Sequence, residues 1–120
     1  MTRRPHLSIT PTGLAYISLE QPDLAGPCAQ LVRDRFAGTI FGNTTILEKR
    51  TSSREEAVAM VENGWADGPA VARPLLANPD LIERWKTGAA ENTPDDSTFY
   101  TGGDTGYNDY PALDAETAAA

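Results

Sequence analysis

The chain has one cysteine and one histidine in 120 residues. A single thiol, Cys28, cannot close an internal disulfide, and neither Cys28 nor His6 sits in a metal-ligand spacing. These absences exclude a disulfide scaffold and a structural metal centre, and make a reducing cytoplasm the expected compartment. Positive charge is scarce: ten Lys and Arg face seventeen Asp and Glu, giving a net charge of -7. That balance repels nucleic acid and anionic lipid unless the basic groups gather on one face, and here they are scattered. No apolar run approaches the ~20 residues of a membrane span. The start, Met1-Thr2-Arg3-Arg4-Pro5-His6, leads into no apolar stretch of the secretory kind. Neither a nucleic-acid nor a membrane partner is expected.

What is present suits one globular unit with a modest core: 40% hydrophobic and 22% charged residues. Residues 1–12 are polar, carry two prolines and read as a flexible lead-in. The run Leu14-Ala15-Tyr16-Ile17-Ser18-Leu19-Glu20 predicts a buried strand over about 14–20. Cys28 to Phe36 places Leu31, Val32 and Phe36 at helical spacing beside Cys28, which predicts a short helix with a buried, inert thiol. Thr39-Ile40-Phe41, between Gly38 and Gly42, is a second strand. Ser53 and Glu56 form a capping box, with Ala57, Val58, Met60 and Val61 as the apolar face before Asn63-Gly64. Pro69-Ala70-Val71-Ala72 is a third strand. Asn78-Pro79-Asp80 supplies an N-cap, a proline at the first helical position and an early acid, and Gly88 ends that helix.

Three strand-then-helix units with short, apolar strands argue an α/β fold with a parallel sheet. Beyond Gly88 the sequence turns polar but keeps Phe99, Tyr100, Tyr107 and Tyr110, more aromatics than a disordered tail holds. The compact domain is expected over 13–114, with 115–120 frayed.

Two loops offer anion-binding chemistry. After the second strand come Gly42 and Asn43, a glycine that permits close backbone approach and an amide donor. After the third come Ala72 and Arg73, whose guanidinium can grip phosphate oxygens bidentately and stays charged at any working pH. By spacing alone, an ordinary turn and a solvated surface charge explain the same residues.

The order and spacing of Ala72-Arg73-Pro74, Ala77-Asn78-Pro79-Asp80-Leu81, Thr98-Phe99-Tyr100 and Gly106-Tyr107-Asn108-Asp109-Tyr110-Pro111 resemble the carboxyl-terminal end of old yellow enzymes, flavin-dependent reductases. Leu14-Ala15-Tyr16-Ile17, Thr39-Ile40-Phe41-Gly42-Asn43 and Val71-Ala72 resemble that family's sixth, seventh and eighth barrel strands. The resemblance implies the C-terminal part of a (β/α)8 TIM barrel, about three strand–helix units, with an irregular aromatic-rich tail. It implies FMN as cofactor, held at its phosphate by Arg73 with backbone help from Gly42, Asn43 and Ala72. It further implies NAD(P)H, in members NADPH or NADH, as reductant, an activated alkene as substrate, and Tyr107 beside that substrate. Family members usually carry glycine where this chain has Ala72.

The family's His/Asn pair and proton-donor tyrosine have no counterpart here. Where that pattern would continue from His6, the chain has Ile9 and Pro11, so no catalytic residue is assigned to it. A whole barrel needs eight strands and ~250 residues. The chain is therefore expected to be incomplete alone, and to pair with a missing N-terminal portion or to self-associate. A noncatalytic phosphate-binding or protein-interaction fragment is the rival reading.

Overall fold

A computed structural model of the chain describes residues 13–45 and 50–114. They form two compact units, one ending at Ala70 and one beginning at Val71. The expected lead-in over 1–12, His6 within it and the frayed end over 115–120 lie outside the described residues.

The first unit runs β1 (Tyr16–Glu20), α1 (Pro27–Arg35), β2 (Thr39–Asn43), α2 (Arg54–Glu62) and β3 (Gly68–Pro69). The strands are parallel in the order β1-β2-β3, with Ile17 beside Ile40 and Gly42 beside Pro69. Parallel neighbours need a crossover, and α1 and α2 supply it. Strand alternation then sorts the side chains by face. Ile40 and Gly42 are buried, and they share with Ile17 and Leu19 the face under the helices, where Leu24, Ala29, Phe36, Met60 and Ala66 complete the core. A methyl group on Gly42 would stand 2.7 Å from Leu24 Cδ1 and 3.1 Å from Ala66 Cβ. Packing alone therefore demands glycine there. The opposite face carries Tyr16, Ser18, Glu20, Thr39 and Phe41, all exposed. The rings of Tyr16 and Phe41 meet edge to face with centroids 5.4 Å apart.

The helices carry narrower apolar stripes than the sequence suggests. On α1 the buried residue is Ala29, followed by the core neighbours Val32 and Phe36 at three- and four-residue steps. Cys28 and Leu31 fall one position earlier, about 100° round the helix, and are exposed. The expectation of a buried thiol is thus corrected. On α2, Ala57 and Met60 are buried while Val58 and Val61 are exposed, for the same geometrical reason. The capping box is as read: Glu56 N–H donates to Ser53 Oγ at 3.2 Å, and Ser53 N–H to Glu56 Oε2 at 3.1 Å.

β3 is shorter than the Pro69–Ala72 run implies. Ala70 N–H still donates to Gly42 O at 2.8 Å, but Asn43 Nδ2 takes Ala70 O and ends the pairing. At the other end Asp67 clips the unit together. Its carboxylate accepts both Arg33 guanidinium donors, at 2.7 and 3.0 Å, and Ile40 N–H at 2.8 Å. The Arg33 hydrogen bonds, then that of Ile40 N–H, hold the Asp67 carboxyl at about 2.

The second unit comprises α3 (Arg73–Ala77), α4 (Leu81–Thr87), a 3-10 turn at Asp96–Thr98 and an irregular run to Asp114. Polar groups are prominent in its interior. Asn78 is wholly buried, but its side chain does not cap α4 as the sequence suggests. It instead donates to Pro74 O at 2.9 Å and accepts Asn92 N–H at 2.7 Å. The residue flanking α4 is Asp80, whose carboxylate accepts Arg84 Nε at 2.7 Å and Leu113 N–H at 2.8 Å. Gly88 ends α4 in the left-handed conformation, φ 70°, as expected. Tyr110 pins the tail, its hydroxyl accepting Asp95 N–H at 2.8 Å.

No helix among the described residues is long and apolar enough to cross a membrane.

Candidate functional site

Pro74 fixes the first turn of α3 and so sets Arg73 at its entrance, with Ala72 flanking it. The irregular run then folds back over this end. Ala72, Arg73, Leu76, Phe99, Tyr100 and Tyr107 line one cavity of about 370 Å³, within the range of small-molecule sites. Its walls are mainly apolar and aromatic, with a single guanidinium and two phenols. The Arg73 guanidinium carbon lies 5.8 Å from the Phe99 ring centroid, a cation–π distance that orients the planar group. Ala72 has φ -106° and ψ -67°, angles open to any residue, so the backbone here makes no demand for glycine.

The aromatic side of the cavity is built by a tightly turned loop. Gly102, Gly103 and Gly106 all have positive φ, which lets the chain reverse between Tyr100 and Tyr107. The Tyr107 phenol oxygen accepts Tyr100 N–H at 2.9 Å, and Gly106 N–H donates to Asp109 Oδ1 at 2.8 Å. The Tyr107 phenol oxygen is thus engaged in holding the loop while its proton stays available to an occupant.

Tyr100, like Phe99, lines the cavity although the sequence pattern gives it no site role. It is the one non-glycine residue with positive φ, 61°, among the described residues, a conformation that costs ~1–2 kcal/mol. Its side chain is nevertheless 97% exposed, so within the unit it recovers little of that cost by packing. A strained backbone that presents an aromatic ring to a cavity is the kind of local exception found where function overrides stability. The available signal was the pair of glycines after Thr101, which marks a loop bent back on itself.

The other two proposed phosphate contacts, Gly42 and Asn43, lie at the end of β2 in the first unit. Gly42 is explained by core packing. Asn43 donates through Nδ2 to Ala70 O at 3.1 Å, and its Oδ1 accepts both Thr45 N–H at 2.8 Å and Thr45 Oγ1 at 2.9 Å. This is an Asx-turn that shapes the strand end. Ala72, Arg73 and Tyr107 are therefore brought together, whereas Gly42 and Asn43 belong to a separate unit with its own geometry.

No cluster of three or more His, Cys, Asp or Glu side chains suited to a metal ion occurs among the described residues. The second-unit cavity also has no carboxylate, imidazole or thiol in its lining. Its chemistry is that of binding and orientation: a cation for an anionic group, flat walls for a planar one, and a phenol to donate a hydrogen bond.

No protein-family model matches the chain. It is 37% identical over 103 residues to a Leishmania infantum protein named "Probable flavin mononucleotide-dependent alkene reductase", covering 83% of this chain and 27% of that protein. It is 44% identical over 73 residues to 12-oxophytodienoate reductase 1 of Oryza sativa subsp. japonica, covering 60% of this chain and 19% of the relative. Among solved structures, morphinone reductase in complex with tetrahydroNAD superposes with a TM-score of 0.71 at 40% identity, over 87% of this chain and 27% of that one. The old yellow enzyme from Trypanosoma cruzi gives 0.71 at 32% identity, over 88% and 27%. The chain thus spans about a quarter of the length of the relatives it matches. With sequence and fold agreeing along most of its residues, the chain belongs to the old yellow enzyme family, as a partial portion of a member.

Proposed function

We propose that the chain is the C-terminal, FMN-phosphate-binding portion of an NAD(P)H-dependent oxidoreductase that reduces activated alkenes. The observation that carries this reading is the cavity in which Arg73 faces Phe99, Tyr100 and Tyr107. On a chain of net charge -7, a phosphate needs a fixed local cation to overcome the background field at short range. Arg73 is such a cation, oriented by Phe99. Each unit brings its own candidate phosphate contacts: Gly42 and Asn43 at the end of β2 in the first, Ala72 and Arg73 in the second. Tyr107 and Tyr100 are the candidate contacts for a substrate or a flat ring.

The residues present fit the cofactor in kind. Arg73 would hold the phosphate, and the aromatic walls would bound planar material. The chemistry FMN supplies when bound is hydride transfer, from reduced nicotinamide to the β-carbon of an activated alkene. This chain's residues bind, orient and exclude water. Proton transfer falls to residues outside it.

The uncovered face of the first unit supports the incomplete-barrel reading. Tyr16 and Phe41 stand exposed on a parallel sheet in which β1 and β3 each have one neighbour among the described residues. Open edges and bare aromatic faces favour association over isolation. In a closed barrel that face would be the packed interior. The test is complementation. The chain is mixed with a polypeptide that supplies the remaining strands and the His/Asn pair, and the mixture is assayed for flavin absorbance and NAD(P)H oxidation. Both signals are expected to appear on mixing. A mixture lacking both would leave the noncatalytic phosphate-binding fragment as the reading.

A further inference from the structure

The aromatic loop that walls the Arg73 cavity leaves and rejoins the second unit at one neck, and that neck is built from two side chains that line no part of the cavity. Arg84 is only 1% exposed. Its Nε donates to Asp80 Oδ1 at 2.7 Å, Nη1 to Ala90 O at 2.5 Å and Nη2 to Pro111 O at 2.9 Å. Ala90 precedes the loop and Pro111 ends it, so one planar fork holds both. Asn92 closes the same gap from the loop side, donating through Nδ2 to Ala77 O at 2.9 Å and to Pro111 O at 2.8 Å. Asn78 fixes Asn92 in turn, and the free oxygen of Asp80 takes Leu113 N–H.

A buried guanidinium is a costly means of adding stability, because desolvating it offsets most of what its partners return, and an apolar plug of equal volume would serve as well. What the fork adds is direction: a rigid plane with donors at fixed angles sets the positions of the carbonyls it binds. Here those carbonyls are the two ends of the segment carrying Phe99, Tyr100 and Tyr107.

We propose that Arg84, with Asn92, is a positioning residue: it fixes the neck of the 93–110 loop and so sets the aromatic wall opposite Arg73. That this wall serves a ligand rests on the function proposed above. The mechanical link between neck and wall does not.

The experiment is residue-resolved amide hydrogen exchange on the full chain, comparing Arg84→Lys, Asn92→Ala and Leu81→Val at conditions chosen to equalise global stability. Leu81 is buried in the same helix but takes no part in the neck, so it controls for stability alone. Tyr100 N–H and Gly106 N–H report the wall through their bonds to Tyr107 and Asp109. In Arg84→Lys both are expected to lose protection on the order of tenfold relative to Leu81→Val. Asn92→Ala, at a partly exposed site, is expected to give the same pattern, and it decides the matter if Arg84→Lys does not fold. Equal protection in the neck variants and in Leu81→Val would overturn the proposal, reducing Arg84 to a contributor of stability. An FMN titration run in parallel bears on the other reading: a wild-type chain that takes no FMN when complemented contradicts the proposed function and leaves the exchange result standing.

Discussion

The two units of this chain are held together by different physics. The first is a small parallel sheet whose helices close over Leu24, Phe36, Ile40, Met60 and Ala66, with surface ion pairs at Arg33–Asp67 and Arg50–Glu56. The second buries Asn78 and Arg84 and spends most of their hydrogen bonds on main-chain groups up to 27 residues away along the chain, and Asp80, which Arg84 holds, reaches Leu113 N–H 33 residues on. Apolar burial is forgiving of exact position, whereas a hydrogen-bonded network is not. The difference matches what each part offers a ligand. The second unit holds the cavity, and its walls are an irregular loop that only directional bonds can place.

Substitutions should separate the two regimes. The largest effect is expected from Arg84→Ala, which removes the guanidinium donors from Ala90 O, Pro111 O and Asp80. A loss of about 3–5 kcal/mol in the second unit is expected, read from amide exchange over residues 81–113. Tolerance there would break the contrast. Leu24→Ala removes a buried side chain at the centre of the first unit's core and is expected to cost about 2–4 kcal/mol, measured by chemical denaturation. Ser53→Ala deletes a cap whose geometry is complete, for a loss of about 1 kcal/mol, seen as a lower denaturation midpoint with unchanged slope.

The smallest effect concerns pH. The folded Asp67 carboxyl sits at about 2, below its ordinary value of 3.8. A depressed carboxylate stabilises the fold fully above the ordinary value, and that contribution disappears as pH falls from about 4 through 2. Asp67 is partly exposed and screened, so the change is small. Asp67→Asn is expected to flatten the acid limb of the first unit's stability curve, and an unaltered limb would show the clip to be idle.

How much of this was legible in the sequence follows the same division. The capping box at Ser53 and Glu56, the stop at Gly88 and the parallel strands over Tyr16–Glu20 and Thr39–Asn43 depend on spacings of a few residues, and spacing is what a sequence displays. Helix faces were legible in kind but one position out: Cys28, Leu31, Val58 and Val61 are exposed because the stripes that meet the sheet begin at Ala29 and Ala57. Asn78-Pro79-Asp80 was misread because local capping explains those residue types well enough to hide their true partners, Asn92, Arg84 and Leu113, which lie 4 to 33 positions away. Arg73 and Tyr107 were found through family resemblance, and they share a cavity. Tyr100 was not, since its mark is a backbone angle that no residue pattern spells out.

The central claim, that Arg73 anchors a phosphate-bearing flavin, is tested most directly by equilibrium titration of FMN into the complemented protein with Arg73 and with Arg73→Ala. Loss of a charge-assisted bidentate contact is expected to weaken binding by at least tenfold, about 1.5–3 kcal/mol. Equal affinity in the two proteins would contradict the account.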